Sequence, residues 1–119
     1  MPEHVHLVLI PSLNNSVGTI LGEIKETSSG RIHLLLEKAN SPLISRLTKI
    51  RNRLPRFVFW QAGCYDHTCR SEEAMWEKIN YCHNNPVRRG FVKSPLDWPW
   101  SSYRYYHGYD GYKLKMDGI

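Results

Sequence analysis

The sequence predicts an α+β domain, and three observations predict it. An unbroken apolar run, Leu7 to Ile10, follows two alternating histidines at the amino end. Two longer segments space their apolar residues at the helical period, and a central stretch is rich in aromatic and β-branched residues.

The first element, MPEHVHLVLI, reads as a central strand covered on both faces, because no polar residue interrupts Leu7, Val8, Leu9 and Ile10. Side chains alternate across a strand, so His4 and His6 project from one face and Val5 from the other. Two converging imidazoles read either as satisfied buried polar groups or as two ligands of one metal ion. PSLNNS is a turn, with Ser16 as the N-cap of a helix carrying Val17, Ile20, Leu21 and Ile24. Ile32, Leu35 and Leu36 continue that face, and Gly30 is a point at which it splits into two helices. Residues 40–55 read as a variable basic connection, mobile and with at most one short helix. RFVFWQ reads as a strand, paired with YDHTCR across Ala62, Gly63 and Cys64.

The best-marked element is the next helix. Ser71 caps it, Glu72 and Glu73 sit in the first turn at the positive end of the macrodipole, and Pro86 is expected to stop it. Met75, Ile79 and Cys82 form its buried stripe, with Tyr81 flanking them about 100° around. Tyr81 and Asn85, four residues apart, place a phenol and an amide on one helix face. His83 falls on the core face and reads as a packed ring, while His67 reads either way. The tail, SPLDWPWSSYRYYHGYDGY, is dense in aromatic rings expected to cover core.

At 119 residues the chain makes one small domain. With 41% hydrophobic and 23% charged residues it has the composition of a soluble globular chain. No apolar run approaches the roughly 20 residues that span a bilayer, and the amino end has no basic segment of a signal peptide, so no membrane partner and a cytoplasmic location are expected. Cys64, Cys69 and Cys82 make an odd count without a C-x-x-C pair, against a zinc knuckle or a disulfide framework. The net charge of +5 is uneven. Lys38, Arg46, Lys49, Arg51, Arg53 and Arg56 fall in a stretch without an acidic residue, and Arg88, Arg89 and Lys93 form a second group. Such stretches suit a phosphate backbone, or simply a solvated basic loop. Lys25 and Arg31, on the polar side of the first helix, are further candidate DNA contacts.

Four blocks, MPEHVHLVL, WQAGCYDHTCR, INYCHNNPVRRGFV and DWPWSSYR, stand in an order that resembles the REP-associated tyrosine transposases, single-tyrosine transposases of the HUH endonuclease superfamily. The blocks cover most of the chain except residues 40–55. The resemblance implies a ferredoxin-like antiparallel sheet with helices on one face. It also implies His4 and His6 as metal ligands, Asn85 as a third, Tyr81 as nucleophile and Mg2+ or Mn2+ as the ion. The implied partner is single-stranded DNA with a hairpin, cut beside the hairpin and rejoined through a 5'-phosphotyrosine link that frees a 3'-hydroxyl. Relatives carry a further strand, helix and strand ahead of the histidines, so this chain is expected to hold the central and C-terminal part of the domain. The first strand is then expected to lack one neighbour and to expose an apolar edge prone to pairing. The analogy leaves monomer and homodimer open.

The chemistry is consistent with that implication. A phenol of pKa about 10 is a weak nucleophile at neutral pH and the phosphodiester is anionic, so a nearby dication must offset charge and stabilise the leaving oxygen. Two imidazoles and an amide leave positions open for phosphate oxygens, unlike a closed four-ligand zinc site. Two other functions compete. A histidine-triad nucleotide hydrolase needs a third histidine where Val8 stands. A catalytically inactive or domesticated remnant would retain DNA binding alone.

Overall fold

The computed structural model describes residues 1–116, with helices and one two-stranded antiparallel sheet. This is α+β, as the sequence predicts. The chain divides into two compact units, one made of Ile10–Asp66 and the other of Met1–Leu9 together with the chain from His67 onward.

In the Ile10–Asp66 unit, α1 spans Val17–Lys38. Ser16 caps it, its Oγ accepting from Thr19 N at 3.0 Å. The helix runs through Gly30 without a break, contrary to the expected split. A single helical glycine costs about 1 kcal/mol relative to alanine, and the apolar positions on both sides outweigh it. Asn40, at φ 47°, ends the helix. Its amide donates to Glu37 O at 3.0 Å and that of Ser41 to Leu36 O at 2.9 Å, which satisfies the last carbonyls. The short helix α2, Leu43–Leu47, leads straight into β1, Thr48–Arg51, which pairs with β2, Leu54–Phe57.

This sheet corrects two expectations. Residues 40–55, read as a mobile connection, hold α2 and most of a β-hairpin; RFVFWQ leaves the ladder after Phe57, and YDHTCR is not a strand. The turn is Asn52-Arg53, both at positive φ (51° and 64°), the arrangement of a two-residue turn whose twist matches the strands. Pro55 is tolerated in β2 because each strand of a two-stranded sheet has a free edge. The unit packs lightly: none of its side chains is fully buried. Trp60 Nε1 donates to Ser28 Oγ at 2.9 Å, and His33 lies tilted on Phe57 with ring centroids 4.4 Å apart, so both aromatic residues rest on α1.

The second unit is built on α3, Glu72–Arg88. Ser71 Oγ accepts from Ala74 N at 3.2 Å, and the Glu73 carboxyl is held below its ordinary pKa, first by a backbone hydrogen bond and then by Ser71. Pro86 does not stop the helix, contrary to expectation; α3 includes it and ends after Arg88. Gly90, at φ 74°, makes the stop: its amide donates to Val87 O and that of Phe91 to Pro86 O, both at 2.9 Å. Ile79 (3% exposed), Pro86 and His83 form the small core. The aromatic tail packs on it through a 3-10 turn at Pro95–Asp97 and the one-turn helix α4, Tyr103–Tyr106. Trp76 meets Tyr106 edge to face at 5.3 Å.

The amino-terminal segment departs most from expectation. Residues 1–10 belong to no strand, and Val5 (57%), Leu7, Val8 and Ile10 (78%) are largely exposed rather than covered on both faces. A strand exists only through ladder partners, and no described residue supplies one. The described sheet has two strands, so the ferredoxin-like part of the fold remains an implication of the resemblance.

Candidate active site

The site lies within the second unit, where the amino-terminal segment meets α3. His4 and His6 approach edge to face, ring centroids 4.6 Å apart, with their Nε2 atoms separated by 2.9 Å. His6 also meets the Tyr81 ring edge to face at 5.4 Å. The alternation read in the sequence thus survives without a strand: both histidines reach one place and Val5 points elsewhere. Burial, then the neighbouring His4, then the amino terminus hold His6 below its ordinary pKa, which favours the neutral ring a metal requires.

Tyr81 sits on the exposed side of α3, 44% accessible. Asn85, one turn later, is buried at 7%, and its Oδ1 has no hydrogen-bond partner. Buried amide oxygens are ordinarily satisfied, so an orphan of this kind asks for a cation or a donor. Among the described residues no three His, Cys, Asp or Glu side chains cluster to hold an ion. Two imidazoles and one amide oxygen are neutral donors of the kind that can hold a divalent ion.

Arg88 is the last residue of α3 and Arg89 its C-cap. The Arg88 guanidinium lies 5.6 Å over the Tyr81 ring, and Arg89 Nη2 donates to Glu3 Oε1 at 2.6 Å. The same Glu3 oxygen stands 3.4 Å from His4 Nδ1. The sequence reading missed Glu3; its position next to His4 in PEHVH was the available signal. His83 is a packed ring, as expected: Nε2 pairs with Ser102 Oγ at 2.9 Å, and burial, then His107, lowers its pKa to about 4. Cys82, half-buried beside Tyr81, has its thiol pKa raised by burial, so it is no thiolate ligand. His67 is exposed in an irregular segment.

The other candidate DNA contacts lie in the Ile10–Asp66 unit. Lys49 pairs directly opposite Arg56 in the ladder, and Arg51 shares their face by the period of two. Like charges opposite one another destabilise a ladder, and an anion on that face relieves the repulsion. Arg53 stands at the turn and Arg46 in the last turn of α2, both exposed. Arg51, Arg56, Phe57, Phe59 and Trp60 line one groove with Lys25. Lys25 is partly committed, its Nζ donating to Gln61 O at 3.0 Å and to Gly63 O. Arg31 is exposed in a shallow depression on α1 with Glu23, Thr27 and Ser28. No helix among the described residues is long and apolar enough to cross a membrane.

A Haemophilus influenzae protein assigned as a REP-associated tyrosine transposase is 23% identical over 104 residues, which is 87% of this chain and 54% of that protein. The REP-associated tyrosine transposase of Escherichia coli K12 is 34% identical over 44 residues, 37% of this chain and 27% of that protein. The chain is thus similar to proteins named as REP-associated tyrosine transposases. It spans about half the length of the first of these transposases and about a quarter of the second. No family model and no solved structure matches the chain.

Proposed function

We propose that the chain carries the catalytic residues of a DNA transposase that cleaves and rejoins single-stranded DNA beside a hairpin. The observation that carries this reading is the His6 ring set edge-on against Tyr81, with His4 Nε2 2.9 Å from His6 Nε2. In the proposed step Tyr81 Oη attacks the phosphorus and loses its proton to solvent. The bond from phosphorus to the 3'-oxygen breaks, that oxygen takes up a proton as a free 3'-hydroxyl, and the 5'-phosphate stays on the tyrosine. His4, His6 and Asn85 would hold the divalent ion, which supplies charge neutralisation at the phosphate and polarisation of the leaving oxygen. Arg88 lies over the phenol, where it can meet the scissile phosphate. The phosphotyrosine link conserves the energy of the broken bond, so rejoining requires no nucleotide. The basic face of Lys49, Arg51 and Arg56, with Arg46, Arg53, Lys25 and Arg31, is proposed to contact the DNA backbone without regard to sequence.

The test is incubation of the full chain with labelled single-stranded hairpin DNA and Mg2+ or Mn2+. A covalent protein–DNA adduct is expected, lost in Tyr81→Phe and on chelation with EDTA. Tight binding with no adduct would leave a DNA-binding module in place of an enzyme.

A further inference from the structure

His4 and His6 face each other through Nε2, and as a hydrogen bond the 2.9 Å contact requires one ring to donate and the other to accept. An ion between them requires both lone pairs, so each ring must then carry its proton on Nδ1. The surroundings of the two rings differ on this point. His4 Nδ1 has the Glu3 carboxylate 3.4 Å away, an ion-pair distance just beyond a hydrogen bond. Glu3 is itself held by Arg89, whose guanidinium donates to the same oxygen at 2.6 Å. Arg89 follows Asn85 by four residues, so the contact fastens the histidine segment to the stretch of α3 that carries the amide. His6 has no carboxylate partner among the described contacts.

We infer that Glu3 is a positioning residue: held by Arg89, it keeps the His4 proton on Nδ1 and so presents the His4 Nε2 lone pair to a divalent cation. The inference rests on the proposed His4, His6 and Asn85 metal site. The pair is asymmetric. His4 is preset as acceptor, His6 donates its Nε2 proton to His4 at rest, and only His6 changes tautomer when an ion enters. Partners of this kind behind a ligating histidine typically change metal affinity by about 10- to 100-fold when removed.

The test reads imidazole 15N shifts in the labelled full chain without added metal at mildly alkaline pH, then Mn2+ affinity. The expected result is Nδ1–H at His4 and Nε2–H at His6, with His6 moving to Nδ1–H on addition of diamagnetic Mg2+. Glu3→Ala should mix the His4 tautomers and weaken Mn2+ binding by about 10- to 100-fold. Glu3→Gln, which keeps an oxygen able to accept from Nδ1–H, should restore the tautomer. A His4 proton on Nε2 in the unsubstituted chain overturns the inference. So does a Glu3→Ala protein whose His4 tautomer and Mn2+ affinity are unchanged. The tautomers are read without metal, so Nδ1–H at His4 in a chain that binds no Mn2+ would remove the proposed function and keep the Glu3 contact.

Discussion

Acid should destabilise the α3 unit through His83 as the pH falls from 6.5 towards 4. The ring is 2% exposed, Nε2 is bonded to Ser102, and Nδ1 has no partner, so a second ring proton would be buried without an acceptor. The rings packed against it, Tyr103 at 5.4 Å and Tyr106 at 6.1 Å, carry no negative charge at acid pH, and His107 at 6.3 Å adds repulsion when protonated. The pKa falls from 6.5 to about 4 on folding. The unfolded chain therefore binds the proton more readily, and stability rises with pH across this window. The contribution is complete above pH 6.5 and is lost as pH falls towards 4; at about 1.4 kcal/mol per pH unit it amounts to about 3 kcal/mol. That is a large share of the stability of a small domain. His6, also lowered, contributes in the same direction. Urea unfolding followed by tryptophan fluorescence, repeated from pH 8 to pH 4, measures the slope. His83→Gln, which keeps a polar partner for Ser102 but does not titrate, should flatten most of it. An unchanged slope in that variant, or a His83 proton resonance titrating near pH 6.5, would refute the reasoning.

Removing the orphan oxygen with Asn85→Ala should weaken Mn2+ binding by about tenfold or more while leaving urea stability within about 1 kcal/mol, because no hydrogen bond is lost; electron paramagnetic resonance titration and denaturation report the two. Ser71→Ala removes the cap on Ala74 N and should cost about 1 kcal/mol in urea unfolding. Arg56→Gln should weaken single-stranded DNA binding equally for all sequences and lower the slope of log affinity against log salt by about one. An affinity loss confined to one DNA sequence would contradict a phosphate contact.

Local chemistry was legible in the sequence and long-range pairing was not. Ser16 and Ser71 announce their helices because a cap is made within three residues. The alternation of His4 and His6 is likewise a short-range property, whereas Tyr81 is exposed and Asn85, one turn on, is buried. The sheet was misread because Asn52-Arg53 lacks the glycine that usually marks a two-residue turn, whereas Ala62-Gly63 offered one in the wrong place. Residues 1–10 carry the pattern of a strand, but a pattern cannot supply the neighbour that makes it one. Pro86 was given too much authority over the end of α3, when Gly90 four residues on supplied the conformation that a stop requires. Glu3 was overlooked because its partner Arg89 is remote in sequence, and no periodicity links the two.

Pro86 has a mechanical consequence. It lacks an amide hydrogen, so the Cys82 carbonyl receives no helical donor from it, and α3 is joined across this point by one backbone bond fewer than elsewhere. The helix bends most cheaply there. Such a bend would swing the segment after the proline, with both guanidiniums, as one block against the turn that bears the phenol. The separation of the Tyr81 ring from the two guanidiniums would then be adjusted by pivoting a single joint, with the caps at both helix ends left intact.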